Sequence, residues 1–164
     1  MFWMNEKQLV VGIADMKVCR GPGRLITYAL GSCIGICLYD PMIRLAGMVH
    51  IMLPNNMEGS NSNVFKYADT GIPATIKKME VFGGVKSRMI CKIAGGARMF
   101  EVQPNSSIGN IGQRNIEAVK KVLAKEGIRI AKEDVGLNYA RTLLLDAETG
   151  TAVVRSFGRK ELIL

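Results

Sequence analysis

The sequence predicts an α+β layered fold in a single domain spanning residues 1–164. Three observations point to it. Two segments, at 72–79 and 112–126, space their apolar residues as one face of a helix. The rest of the chain is a series of short apolar runs bounded by Gly, Pro and Asp turns, which reads as about eight strands. Strands and helices follow no regular β–α alternation, and neither an internal repeat nor a linker divides the chain.

Taken in order, residues 9–14 alternate weakly and are expected as a strand, with Gly21-Pro22-Gly23 as a turn. Residues 24–30 and 34–39 read as two strands separated by Gly31-Ser32-Cys33, and Asp40-Pro41 turns the chain again. Residues 45–53 form an apolar strand with His50 near its end, followed by a polar, loop-like stretch at 54–63. The first helix places Ile72, Ile76 and Met79 on one face, with Pro73 in its first turn, where a missing N–H has no intrahelical partner to lose. Residues 67–70 read as either a preceding turn or a kinked extension. A short buried strand at 89–94 runs into Gly95-Gly96. The clearer helix, 112–126, turns Ile116, Val119, Val122 and Leu123 inward and stops at Gly127. Strands at 128–135, 142–145, 151–155 and 162–164 complete the chain, with Thr149-Gly150 as a turn between two of them.

Composition narrows the function classes. The chain is 48% hydrophobic and 22% charged, ordinary for a folded domain. The uncharged stretch 25–39 is shorter than the roughly 20 residues a spanning helix needs and is broken by glycines, so no membrane insertion is expected. Residues 1–7 lack the apolar core of a secretion signal, which places the protein in the cytoplasm. There the four cysteines are expected as free thiols, with no CxxC pair and one histidine to support a metal site, so no metal is expected. The net charge of +8 permits an acidic partner, but the basic residues are scattered and only 6% of residues are aromatic, which argues against nucleic acid. Gly95-Gly96 is not followed by the Lys-Ser/Thr of a phosphate loop and reads as a turn.

Two residues carry candidate chemistry. A lone histidine on an apolar strand is ordinarily a core residue, but His50 stands at a strand end, just before Ile51-Met52-Leu53-Pro54 leads into a polar loop. Cys33 lies in Gly31-Ser32-Cys33-Ile34-Gly35, where flanking glycines let backbone N–H groups face outward, as an oxyanion hole requires. A cysteine nucleophile needs a base, and His50 is the only imidazole in the chain. A third group should orient that imidazole; Thr27, Asp69 and Thr70 are candidates that composition does not rank.

The strings Thr27-Tyr28-Ala29-Leu30-Gly31-Ser32-Cys33 and Ala46-Gly47-Met48-Val49-His50-Ile51-Met52-Leu53-Pro54, with the same spacing between Cys33 and His50, resemble the CheD family of chemoreceptor glutamine deamidases. The resemblance continues through Lys66-Tyr67-Ala68-Asp69-Thr70, Lys92-Ile93-Ala94-Gly95-Gly96-Ala97 with Met99-Phe100, and Asn110-Ile111-Gly112 with Arg114-Asn115, and reaches Thr149-Gly150. It implies an α/β/β sandwich similar to the cytotoxic necrotizing factor-type cysteine hydrolases. It implies Cys33 as nucleophile, His50 as base, Thr27 as orienting hydroxyl and Gly31 and Ser32 as oxyanion or substrate-positioning residues. It also implies a cofactor-free deamidase acting on the cytoplasmic domains of chemotaxis receptors and binding a CheC-type phosphatase. The alternative is a non-catalytic partner that regulates that phosphatase. One stretch departs from the family's glycine-rich pattern: Leu137 and Ala140 stand where glycines are usual, and they are expected not to take glycine's backbone shapes.

Overall fold

The computed structural model describes residues 7–57, 59, 63–99 and 110–164. Among them, ten strands form two five-stranded sheets. The first runs β1 (Lys7–Val10), β3 (Gly23–Leu30), β8 (Arg141–Asp146), β9 (Ala152–Arg155) and β10 (Leu162–Ile163). The second runs β2 (Met16–Arg20), β5 (Leu45–Ile51), β4 (Ile34–Asp40), β6 (Ile90–Gly95) and β7 (Ile130–Val135). Helices α1 (Ala68–Val81) and α2 (Ile111–Lys125) cover one face of the second sheet, whose other face lies on the first. The layers are helix, sheet, sheet, as the α+β reading expects.

Strand periodicity builds these layers. Every residue of β4 and β5 is buried, as a sheet covered on both faces requires. Ile34, Ile36 and Leu38 of β4 and Leu45, Val49 and Ile51 of β5 pack against Ile72, Ile76 and Met79 of α1 and Ile116, Val119 and Leu123 of α2. The alternate residues, among them Cys37, Ala46 and Met48, meet Leu25, Leu30, Leu143 and Leu145 of the other sheet. His50 shares the face of Met48, so it points between the sheets, away from the helices.

Three expectations need correction. The predicted strand at 9–14 is β1 ending at Val10, followed by a turn, and β2 was not anticipated. The turn hides from sequence because Ala14, not Gly or Asn, takes the left-handed φ of 57°; β2 is a half-buried edge strand without clear alternation. Helix α1 begins at Ala68, so Pro73 lies inside it, beyond the first turn. Its early start is held by the Gly71 N–H, which donates to the Tyr67 carbonyl at 2.7 Å. Residues 1–6, parts of the predicted loop at 54–63 (58 and 60–62) and Phe100 lie outside the described residues.

The third correction concerns Leu137, which does take a glycine-like conformation, with φ 59°. Neighbouring bonds impose it: the Gly136 N–H donates to Gly95 O at 2.9 Å, the Arg98 N–H to Leu137 O at 2.8 Å, and Arg141 Nη1 to Gly136 O at 3.0 Å. Leu137 is 65% exposed, so little burial offsets the strain. Leu137→Gly is therefore expected to stabilise the fold by about 1 kcal/mol, raising Tm by about 2–4 °C in thermal unfolding.

Candidate active site

His50 stands on β5 opposite Gly35 of β4 and is fully buried. Its Nδ1 lies 2.7 Å from Oγ1 of Thr27 on β3, the strand facing it from the other sheet. The same hydroxyl lies 2.7 Å from the carbonyl oxygen of Val11. A carbonyl only accepts, so the one hydroxyl proton of Thr27 goes to Val11, and Oγ1 accepts from His50 Nδ1–H. This accounting makes the neutral imidazole the Nδ1–H tautomer and leaves a lone pair on Nε2. Nε2 is buried and has no hydrogen-bond partner among the described residues. The β1–β2 turn braces the same histidine through its backbone: Ala14 N–H donates to His50 O at 2.9 Å, and His50 N–H to Asp15 O at 3.0 Å.

Cys33 is half-buried and immediately precedes β4. It continues the face of Gly35, the residue directly opposite His50, which makes it a diagonal neighbour of His50 on the inner face. No hydrogen bond joins its thiol to Nε2 at rest. Gly35 keeps the space clear: a Cβ there would come within 2.8 Å of Leu143 Cδ2 and 3.2 Å of Leu30 Cδ1.

Three donors fix the carbonyls of the loop. Gly31 O accepts from Ala97 N–H at 2.8 Å, Ser32 O from Asn115 Nδ2 at 2.9 Å, and Cys33 O from Gly96 N–H at 2.8 Å. Because a trans peptide sets N–H opposite C=O, the Ser32 and Cys33 N–H groups face away from these anchors. Among the described residues, no backbone carbonyl takes either of them. The close approach needs a glycine at 95, whose backbone has φ 119°; a Cβ would lie 2.2 Å from Cys33 O. Gly95-Gly96 thus props up the loop that carries Cys33.

Burial keeps both reactive groups neutral. It pushes the Cys33 thiol up, opposed in part by the residue's own N–H, and it lowers His50 to about 4. A thiolate–imidazolium pair is therefore not the resting state near neutral pH, and the thiolate must form as attack proceeds. Burial also raises Cys19, pushes Cys37 up to about 12 and drives Cys91 higher still; all four thiols are free. Among the described residues, no cluster of His, Cys, Asp and Glu could hold a metal ion.

The depressed His50 basicity has a consequence for stability. Between about 4 and the ordinary 6.5, the unfolded chain binds a proton that the folded chain refuses. Stability is thus complete above 6.5 and falls as pH drops towards 4, by about 3 kcal/mol. Urea unfolding across pH 4–7 should show this loss in the wild type and its absence in His50→Gln.

The sequence-predicted residues are brought together unevenly. Thr27 and His50 touch, and Cys33, Ser32 and Gly31 share the adjoining loop. Asp69 and Thr70 lie elsewhere in their bonding: Asp69 Oδ1 accepts from Asn56 N–H at 2.9 Å, and Thr70 Oγ1 donates to Val64 O at 2.6 Å. Sequence reasoning missed the Val11 carbonyl, which no side chain announces. It also missed Asn115, which is fully buried and donates from Nδ2 both to Ser32 O and to Met52 O at 2.9 Å. Its signal was present as a polar residue on the inward face of α2, beside Ile116 and in register with Gly112 and Val119.

A family model described as "CheD chemotactic sensory transduction" matches residues 52–156. That match begins after Thr27, Cys33 and His50. Curated relatives extend across them. Proteins named probable chemoreceptor glutamine deamidase CheD from Clostridium botulinum (strain Alaska E43 / Type E3) and Caldanaerobacter subterraneus subsp. tengcongensis are 49% and 51% identical, each over 94% of this chain and 96% of the relative. One of the same name from Syntrophomonas wolfei is 47% identical over 97% of this chain and 99% of its own.

Proposed function

The chain belongs to the CheD family, and we propose that it is a protein-glutamine deamidase that converts glutamines of chemotaxis receptors to glutamate. The observation that carries this reading is the Nε2 lone pair, without a partner among the described residues and fixed by the Val11–Thr27–His50 chain on the face that Cys33 shares. Deamidation of a carboxamide requires a nucleophile, a base that becomes an acid, and donors for an oxyanion.

In the proposed reaction, His50 Nε2 takes the Cys33 proton as Sγ attacks the carboxamide carbon of a receptor glutamine. The Ser32 and Cys33 N–H groups hold the oxyanion; one such donor is typically worth ~3–4 kcal/mol in the transition state. The new imidazolium, steadied by Thr27 Oγ1 at Nδ1–H, gives its proton to the leaving nitrogen. The C–N bond breaks, ammonia departs and a thioester remains. Neutral His50 then takes a proton from water, whose oxygen attacks the thioester carbon, and the protonated base returns that proton to Sγ. Glutamate and free thiol result, and no cofactor enters the balance. The low basicity of His50 fits this general-base route, because the imidazole is neutral and competent across the physiological range.

Mass spectrometry of receptor cytoplasmic fragments before and after incubation tests the proposal. The expected result is glutamine-to-glutamate conversion at discrete sites with equimolar ammonia. No conversion by folded protein would sink it. The family resemblance also supports a CheC-type phosphatase as partner and a cytoplasmic location; no helix among the described residues is long and apolar enough to cross a membrane.

A further inference from the structure

Asn115 is fully buried on the inward face of α2, among Ile116, Val119 and Leu123. Burying an amide there needs hydrogen bonds in return. Its Nδ2 spends both protons on carbonyls outside the strands: Ser32, directly before the nucleophile, and Met52, two residues after the base. Among the described residues its Oδ1 is buried with no partner, an arrangement that costs stability. An apolar residue would avoid that cost, so the placement favours the two donated bonds over the stability of the helix face.

We propose that Asn115 is a positioning residue that aims the Cys33 N–H at the developing oxyanion. The peptide joining Ser32 to Cys33 is planar, so the bond that holds Ser32 O also sets the direction of the Cys33 N–H. The second bond ties the same amide to Met52, at the exit of the strand that carries His50. One side chain from the helical layer thereby sets the spacing between the oxyanion donor and the base. The flanking anchors do not replace it, because Gly96 N–H and Ala97 N–H hold the neighbouring peptides, not this one. Asn115 acts through the loop and touches neither Thr27 nor the imidazole, so it should leave thiol ionisation alone.

The inference rests on the deamidase reading, and the test separates the two. Asn115→Ala, which favours the helix, and Asn115→Asp, which keeps the shape but loses both donors, are assayed with a receptor fragment well below their unfolding temperatures. Asn115→Ala should lower kcat by about 10–100-fold with KM within about twofold, less than outright loss of an oxyanion donor. Asn115→Asp should show no rescue. The pH dependence of kcat and the rate of Cys33 alkylation by iodoacetamide should both match the wild type. A structural role alone would lower Tm and leave kcat unchanged in the folded variants; that result, or alkylation slowed in step with kcat, overturns the proposal. Inactive wild-type protein would instead refute the deamidase reading itself.

Discussion

Cys33→Ser is expected to abolish deamidation while leaving the fold intact. The exchange of sulfur for oxygen changes volume little at a half-buried position, so Tm should stay within a few degrees of the wild type. Chemistry changes far more. A serine hydroxyl holds its proton much more tightly than a thiol and is a far poorer nucleophile towards a carboxamide carbon, so the attack that forms the covalent intermediate is lost. Turnover should fall below detection in the ammonia assay, at least ~10³-fold. Cys37→Ser and Cys91→Ser serve as the contrast. Those thiols are buried within β4 and β6, with Cys37 pushed up to about 12 and Cys91 higher. Their loss should affect stability alone, and Cys19→Ser should behave similarly. A folded, inactive Cys37→Ser beside an active Cys33→Ser would overturn the assignment.

The layered fold was legible because its central strands leave little choice. Every position of β4 and β5 is apolar, small or unusually buried, and such runs fit only a sheet covered on both faces. Helix α2 was legible from the spacing of Ile116, Val119 and Leu123. The edges were less so. β2 lies at a sheet margin where one face is half-exposed, and the turn before it uses Ala14 in a conformation that sequence associates with glycine. Pro73 misplaced the start of α1, because proline inside a helix is unusual and its fixed φ suits a first turn better.

At the site, side chains whose chemistry is distinctive could be picked out; partners that act through backbone could not. Cys33 and His50 stand out as a thiol in a glycine-flanked turn and the only imidazole. Thr27 was one of three hydroxyl or carboxyl candidates until the register of β3 against β8 and the alternation of β5 set it against His50. The irregularity between Thr27 and Leu30 in that register bulges β3 just after Thr27, before Leu30 pairs again with Arg141 and the chain enters the nucleophile loop. Val11 contributes only a carbonyl, and its importance follows from proton accounting that needs coordinates.

Thr27→Val is expected to lower kcat strongly, by about 10²–10³-fold, with little effect on KM. Valine matches threonine in shape and β-branching, so packing between the sheets is kept while the hydroxyl is lost. Two buried groups then lack partners: the Val11 carbonyl and His50 Nδ1. Without an acceptor at Nδ1, the Nδ1–H tautomer loses its advantage, and the competing Nε2–H form has no lone pair to offer Cys33. The expected loss is smaller than for an aspartate partner, because a neutral hydroxyl orients the imidazole but stabilises its cation less. Thr27→Ser restores the hydroxyl on a less constrained side chain and should recover most of the rate. Iodoacetamide alkylation of Cys33 should slow in Thr27→Val and recover in Thr27→Ser, since the base controls thiolate formation. Binding to a receptor fragment or a CheC-type phosphatase should persist in both, because Thr27 is fully buried. A Thr27→Val protein with wild-type kcat would show that the hydroxyl does not set the tautomer; equal losses in Val and Ser would put backbone position on β3 ahead of the hydrogen bond.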